Sequence, residues 1–539
     1  MDSSQNFLFG YGGSNVDLLP LHPSPTHILF LWRIYKERVD PAMKMSHLPT
    51  LVETMDSAFQ ELGNLRPSTE VTIFLIYYSS ITAMEPLEVE QNLGVSRNAL
   101  LRRFRFALQQ AFAKAQFLTS RDLNIFRAFV CFLVLLRKNG DFKISSSMVG
   151  LAVRISQSLG LHRDGAHLRN LTPFRVEMRR RAFWGLVVLD HRASEDMGMD
   201  PMLVEGTYDT QLPANVDDSE LTADMEEIPV SKTRITEMTM SLIRMETLVA
   251  SININKVITE SLEDKRADLD AKCDEMWLQT YEDIRRKYLL KSAQDDRYWL
   301  LDHMSRAIIA KLRLMARYAM PEREEEHPLE RLVATTELIE YNHMINSDER
   351  SAKWRWIFVA YTRWHGATYL LTEMLQREWS PMIERAWEAL NDILRDSCLR
   401  ELESARDGTV MKIPFQKLYA LAAQHREAEF ARLREDKVAA KALLGDAELK
   451  SDLTFIYVPS RGVAHDVTER WCAAVGLEQD LVMAEERQLD GWKGFDISGS
   501  SWMDNMDEWN WSLTDSNADG SPADGVPLVN MDFPLGNLF

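Results

Sequence analysis

The chain is 539 residues long, 45% hydrophobic and 27% charged, enough for a large core and roughly two to four domain-sized units. Its 81 acidic residues against 62 basic ones leave a net charge of −19, the reverse of the basic footprint that neutralises phosphates, so direct duplex DNA binding is doubtful. The four cysteines, Cys131, Cys273, Cys398 and Cys472, form no Cys-x-x-Cys pair, which fits a reducing compartment better than a disulfide scaffold. Residues 1–19 read as a flexible N-terminus around Gly10-Tyr11-Gly12-Gly13, without the basic-then-apolar pattern of a signal peptide. From Pro25 the pattern is helical. Ser96 to Leu118 lacks internal Gly and Pro, and Ser120 or Asp122 starts a helix through Phe126, Phe129, Phe132, Leu133 and Leu136 that stops near Gly140. That apolar run is interrupted by Arg127 and falls short of the ~20 residues of a membrane span, so a soluble intracellular protein without membrane contact is expected.

Met148, Ala152, Ile155 and Leu159 recur at helical steps, with Gly160 placed as a C-terminal cap. Thr172 reads as an N-cap and Pro173 as the first helical residue. Phe174, Met178, Ala182, Gly185 and Leu189 then share one face, with Arg175 and Arg179 pointing away from it. Turns follow at Gly198, Pro201, Gly206 and Pro213, and further helical stretches are predicted over 233–291, 298–317, 327–347, 354–377, 383–407 and 418–445. No period-two alternation long enough for a sheet and no fixed repeat occurs, so the fold is predicted to be all-α. Residues 476–493 read as a linker. From Gly494 to Phe539 the chain has no Lys or Arg but carries Asp496, Asp504, Asp507, Glu508, Asp515, Asp519, Asp524 and Asp532. Trp502, Trp509, Trp511 and Phe533 are scattered among them, the composition of a segment that stays disordered alone and folds on a partner.

The motifs of common catalysts are missing: no phosphate-binding Gly-x-x-x-x-Gly-Lys-Ser/Thr, no His-Glu-x-x-His and no Gly-x-Ser-x-Gly. Zinc needs four converging ligands, and these cysteines are scattered. His162-Arg163-Asp164 imitates a kinase catalytic loop, but position 169 is Arg169 where that loop has asparagine, and Asp141-Phe142 is followed by Lys143. Gly10-x-Gly12 follows no strand, and Asp217-Asp218 and Asp295-Asp296 are too isolated for a lyase-type metal motif, the remote enzyme alternative. His365 reads as a hydrogen-bonded helix histidine. Trp354, Trp356, Tyr361 and Trp364 read as packing that leaves room for a ligand pocket. No catalytic, cofactor or metal residue is expected.

The stretch Leu151-Ala152-Val153-Arg154-Ile155-Ser156-Gln157-Ser158-Leu159-Gly160-Leu161-His162-Arg163-Asp164-Gly165 resembles the signature helix of the fungal-specific transcription factor domain, the middle homology region of fungal zinc-cluster factors. The resemblance continues through Thr172-Pro173-Phe174, Glu177-Met178-Arg179-Arg180-Arg181, Phe183-Trp184, Leu189-Asp190, Ala193-Ser194-Glu195-Asp196 and Asp200-Pro201. It closes with Asp209-Thr210, Leu212-Pro213, Asn215, Asp217-Asp218-Ser219 and Leu221. Leu21-His22-Pro23-Ser24-Pro25, Phe30-Leu31-Trp32, Val39-Asp40-Pro41 and His47-Leu48-Pro49-Thr50 are similar to the start of the same domain, so the likeness spans about residues 20–475.

The resemblance implies an all-helical regulatory body in a nuclear protein that controls transcription, often of metabolic genes. Members usually carry an upstream six-cysteine zinc cluster. No cysteine precedes Cys131, so zinc ligands and DNA contacts pass to no residue here, and zinc enters only with a cluster lost from the gene model. The alternative is a natural version that acts as an adaptor of a related zinc-cluster factor or as a homodimer. Arg179, Arg180 and Arg181 become a charged flank that pairs with Glu177, Glu195 and Asp196 or faces a partner. The acidic tail becomes an activation segment for a coactivator or the transcription machinery.

Overall fold

A computed structural model describes residues 16–260, 266–319, 328–358, 363–395, 409–446 and 460–477, and the tail with Trp502, Trp509, Trp511 and Phe533 lies outside them. The described residues form helices and no β-strand. Proline punctuates the N-terminal half. Its missing N–H is an orphan at a first helical turn in any case, and its fixed φ suits that position. Pro25, Pro67, Pro86 and Pro173 each open a helix: α1 (Pro25–Ile34), α3 (Pro67–Thr82), α4 (Pro86–Leu93) and α8 (Pro173–Met197). Between them lie α2 (Leu48–Ala58), α5 (Arg97–Lys114), α6 (Leu123–Lys138) and α7 (Phe142–Ser158).

Helix α3 is the axis of this half. Val71, Ile73, Phe74, Ile76, Tyr77 and Ile81 are all buried, so it is apolar on every side and packs against α1, α5 and α6 at once. Helices α6, α7 and α8 then pack on one another. Asp122, and not Ser120, caps α6, its carboxylate accepting from Asn124 N at 2.8 Å. Helix α5 stops at Lys114, four residues before the predicted end, because the chain turns through Gln116 at φ 48 and tucks Phe117 against Phe112 and Phe129.

The stretch predicted over 233–291 is two helices. Residues 230–238 are held as an extended loop by side-chain hydrogen bonds, so α9 begins at Thr239 and ends at Glu260. Helix α10 (Arg266–Ile284) runs into a wider π turn over Arg285–Leu289. With α11 (Tyr298–Ala319) they extend the first core. Helix α12 (Pro328–Ser347) has two apolar faces: Ala334, Leu338, Tyr341 and Ile345 join the first core, whereas Leu332, Val333 and Ile339 join a second. That second core lies among α13 (Arg363–Gln376), α14 (Pro381–Arg395), α15 (Thr409–Glu435), α16 (Lys437–Leu443) and α17 (Ser460–Val475). The charged helix predicted at 418–445 starts earlier and breaks at Asp436, whose carboxylate caps α16 through Val438 N and Ala439 N. Trp356 is buried and donates to the Arg38 carbonyl at 3.2 Å, as packing. The side chains of Tyr361, Trp364 and His365 lie outside those described.

On α8, Gly185 faces Met45 so closely that a Cβ would sit 2.3 Å from its sulfur and 3.0 Å from its Cγ. Gly185→Ala is therefore expected to destabilise the protein by about 1–2 kcal/mol, overpacking outweighing the gain in helix propensity. A lowered denaturant midpoint with an unchanged slope is the expected observation, and a raised midpoint would contradict it.

Candidate functional site

The signature segment folds as a helix end, a return loop and α8, and each part has a local cause. Helix α7 ends in a Schellman motif: Gly160 takes φ +67, its N–H reaches the Gln157 carbonyl at 3.0 Å and the Leu161 N–H reaches Ser156 at 2.9 Å. Leu159 is the C-cap and Leu161 is buried in the core. Arg179 contributes to the same cap. It does not point to solvent beside Arg175; it is half-buried and donates to the Leu159 and Gly160 carbonyls at 3.1 and 2.7 Å.

Next, Asp164 gathers the loop. Its buried carboxylate takes a two-pronged contact from Arg180 at 2.8 and 2.9 Å, and accepts from Ala166 N and Gln211 N. Burial raises this carboxyl, but Arg180 and the two amides outweigh it and hold it below its usual range. The kinase-like triplet is thus a loop clasp: the His162 carbonyl accepts from Asp209 N, and Arg163 pairs with Asp209 at the surface. Thr210 donates to the Leu161 carbonyl and Trp184 to that of Gln211, which leaves Leu212 half-buried and Pro213 buried against the body.

Farther along α8, Asp190 accepts from Met202 N and Leu203 N, both at 2.8 Å, and folds residues 199–204 back onto the helix. Ser194 donates to the Asp200 carbonyl in the same turn. Glu195 and Asp196 do not meet the arginine run: Glu195 pairs with Arg192 and with Lys311 of α11, and Asp196 with Arg137 of α6. Asn215 closes the loop, donating to the Lys232 and Arg234 carbonyls and accepting from Thr236 and Thr239.

The centre of the arrangement is a buried ionic latch. Arg181, fully buried, joins Glu177 at 3.1 Å and Asp218 at 2.6 Å, and donates to the Ser46 carbonyl. Lys44, 2% exposed, joins Asp40 at 2.6 Å, Asp218 at 2.7 Å and Glu237 at 3.3 Å. Asp218 also accepts from Leu48 N at 2.7 Å, while its own carbonyl meets His47 Nε2 at 2.9 Å. One aspartate therefore ties the 40–48 segment, α8 and the 209–239 loop together. Burial raises the Asp218 carboxyl, but Arg181 and Lys44 overcome it and bring it down to about 2. Asp40 and Glu177, more deeply enclosed, are pushed upward by burial despite their cations. The run predicted as a charged flank is accordingly interior: Arg180 and Arg181 are buried and internally paired, with Glu177 the one predicted partner they use. Lys44 and Glu237 carried no signal in the sequence. Asp40 and His47 lay in the segments similar to the domain's start.

Beside the latch, α2, α3, α6 and α8 enclose a cavity of about 500 Å³ whose lining includes Ser46, His47, Arg127 and Arg179. Among the described residues no three His, Cys, Asp or Glu side chains converge as metal ligands, and no helix is long and apolar enough to cross a membrane.

Residues 48–290 match the fungal specific transcription factor domain, and the chain carries that domain. It is 25% identical over 442 residues to the transcriptional regulator AacuB of Aspergillus aculeatus, covering 79% of this chain and 58% of that protein. It is 30% identical over 385 residues to the aurofusarin cluster transcription factor aurR2 of Gibberella zeae, covering 69% and 56%. Likeness to the C6 finger domain transcription factor adaR of Aspergillus niger is 24% over 454 residues, covering 77% and 57%. The chain thus spans a little over half the length of these relatives.

Proposed function

We propose that this protein is a transcription regulator of the fungal zinc-cluster type that acts in the nucleus on metabolic genes, with residues 20–475 as its regulatory body. The observation that carries this reading is the signature itself. Within the matched domain its residues Asp164 and Arg180 form one internal ion pair, and Glu177, Arg181 and Asp218 form another cluster, as expected of a fold-defining motif. Relatives named for aurofusarin and for pyriculol biosynthesis clusters support genes of small-molecule biosynthesis as its targets. Promoter recognition falls to a zinc cluster in cis or to a related zinc-cluster factor paired with this chain, since no residue of the domain is assigned to DNA. Adaptor action through such a partner, or through a second copy, is the second reading, favoured by the −19 net charge.

Residues 494–539 are proposed as the activating segment, their acids keeping Trp502, Trp509, Trp511 and Phe533 solvated until a coactivator groove accepts them. Fused to a foreign DNA-binding module, this segment is expected to raise reporter output, and replacing the three tryptophans by alanine to abolish the gain. A segment that is silent in this assay removes the activating role.

A further inference from the structure

We propose that the cavity between α2, α3, α6 and α8 binds a small organic anion, a carboxylate carried on an apolar body. Three observations converge on it. The first is charge. Arg121, Arg127, Arg175 and Arg179 line the cavity against a single acid, Asp122, in a chain whose net charge is −19. Asp122 is already engaged as the N-cap of α6. Arg121 and Arg175 sit exposed at the rim and form no ion pair with a described residue. An acidic protein that assembles four guanidinium groups around one void has a local preference for anions.

The second is Arg127. Its guanidinium donates to the Met45 carbonyl at 3.2 Å and to the Asn124 side chain, but no described carboxylate pairs with it, and its Nε–H is buried without an acceptor. Burial accordingly weakens its hold on the proton. Lys44, Arg137, Arg180 and Arg181 each have a carboxylate, whereas Arg179, on the same cavity wall, gives its donors to the α7 cap and likewise buries an Nε–H without an acceptor. A buried unsatisfied donor on an unpaired cation is costly, and a carboxylate arriving in the cavity supplies both the charge and the acceptor.

The third is shape and lining. About 500 Å³ lies within the range of small-molecule sites. Leu51, Leu75, Phe174 and Met178 provide an apolar wall, with Thr50 and Ser68 as polar points among them. The wall calls for an apolar body and the arginines for one anionic end. Ser46, His47 and Arg179 belong both to this lining and to the contacts around the latch and the α7 cap, so an occupant would brace the segments that the signature residues hold together. The inference stands apart from the regulatory reading, because binding is measured without transcription.

The test is calorimetric titration of the full chain with sodium 2-naphthoate, with neutral 2-naphthalenemethanol and with inorganic phosphate. Naphthoate is expected to bind at least about tenfold more tightly than either the alcohol or phosphate, the factor that one charge-assisted hydrogen bond provides. It is also expected to raise the unfolding temperature. Arg127→Gln should remove the preference for naphthoate over the alcohol. Arg175→Gln, a rim change that leaves the fold untouched, should weaken naphthoate by roughly threefold and the alcohol not at all. Equal binding of naphthoate and the alcohol, phosphate binding as tightly as naphthoate, no binding of naphthoate, or Arg175→Gln without effect would each overturn the proposal.

Discussion

Arg181→Met is expected to destabilise the protein by about 3–5 kcal/mol, read as a lowered urea midpoint for the transition of the first core. The size follows from what is left behind. The methionine fills much of the volume, but Glu177 and Asp218 lose their shared cation, and the Ser46 carbonyl loses a donor, all in a site closed to water. Lys44→Met is expected to act comparably through Asp40, Asp218 and Glu237. Because both cations hold Asp218, the double variant should fall short of the sum of the singles, and strict additivity would mean that the latch is two independent pairs. The latch also carries a pH signature. Asp218 is depressed from 3.8 to about 2, so its contribution, about 2 kcal/mol, is complete above pH ~4 and is lost as pH falls toward 2. Asp40 and Glu177 are raised and act with the opposite sign: their contribution belongs to low pH and fades as pH rises through their folded values. Asp218→Asn should flatten the acid limb of the stability profile between pH 4 and 2, and an unchanged limb would show that Asp218 is not the group that titrates there.

What could be read from the chain in advance was what is decided locally. Gly160 ends α7 because its left-handed φ is disfavoured for other residues, and Thr172-Pro173 opens α8 because a hydroxyl and a missing N–H suit a first turn, with Thr172 accepting from Arg175 N. Helical class followed from the spacing of Met148, Ala152 and Ile155, each buried as expected. What escaped was burial of charge. An arginine run looks the same in a sequence whether it is solvated or enclosed, and two of the groups that hold Arg181 lie outside any local window: Asp218, 37 positions on, and the Ser46 carbonyl, 135 positions back. Helix α8 also hides its position. Val176, Phe183 and Val187 are buried on the sides opposite the predicted face, so the helix packs all round and its polar residues must be satisfied internally. Residues 233–238 read as the start of a helix because Asn215, which holds them as a loop, acts from outside the window in which periodicity is judged.

Trp471→Ala is expected to cost about 3–5 kcal/mol, and to cost it in the second core. Trp471 on α17 is fully buried, and its indole N–H donates to the Trp379 carbonyl at 2.8 Å. Trp379 in turn donates from its indole to Glu384 at 2.6 Å, and Glu384 holds Arg426 of α15 through both oxygens. Removing the Trp471 side chain opens a large cavity and strips a donor from the carbonyl at the head of this chain of contacts, so α14, α15 and α17 loosen together. Among the described residues α12 borders both cores, giving Ala334, Leu338 and Tyr341 to the first cluster and Leu332 and Ile339 to the second. Hydrogen exchange is therefore expected to show lost protection across α13 to α17, with α12 intermediate and α3, α6 and α8 unchanged. Protection lost equally in α3 and α8 would mean that the two cores unfold as one unit and that α12 transmits the full cost between them. The expected gradient, by contrast, makes α12 the boundary across which the C-terminal helices can open while the latch around Asp218 remains closed.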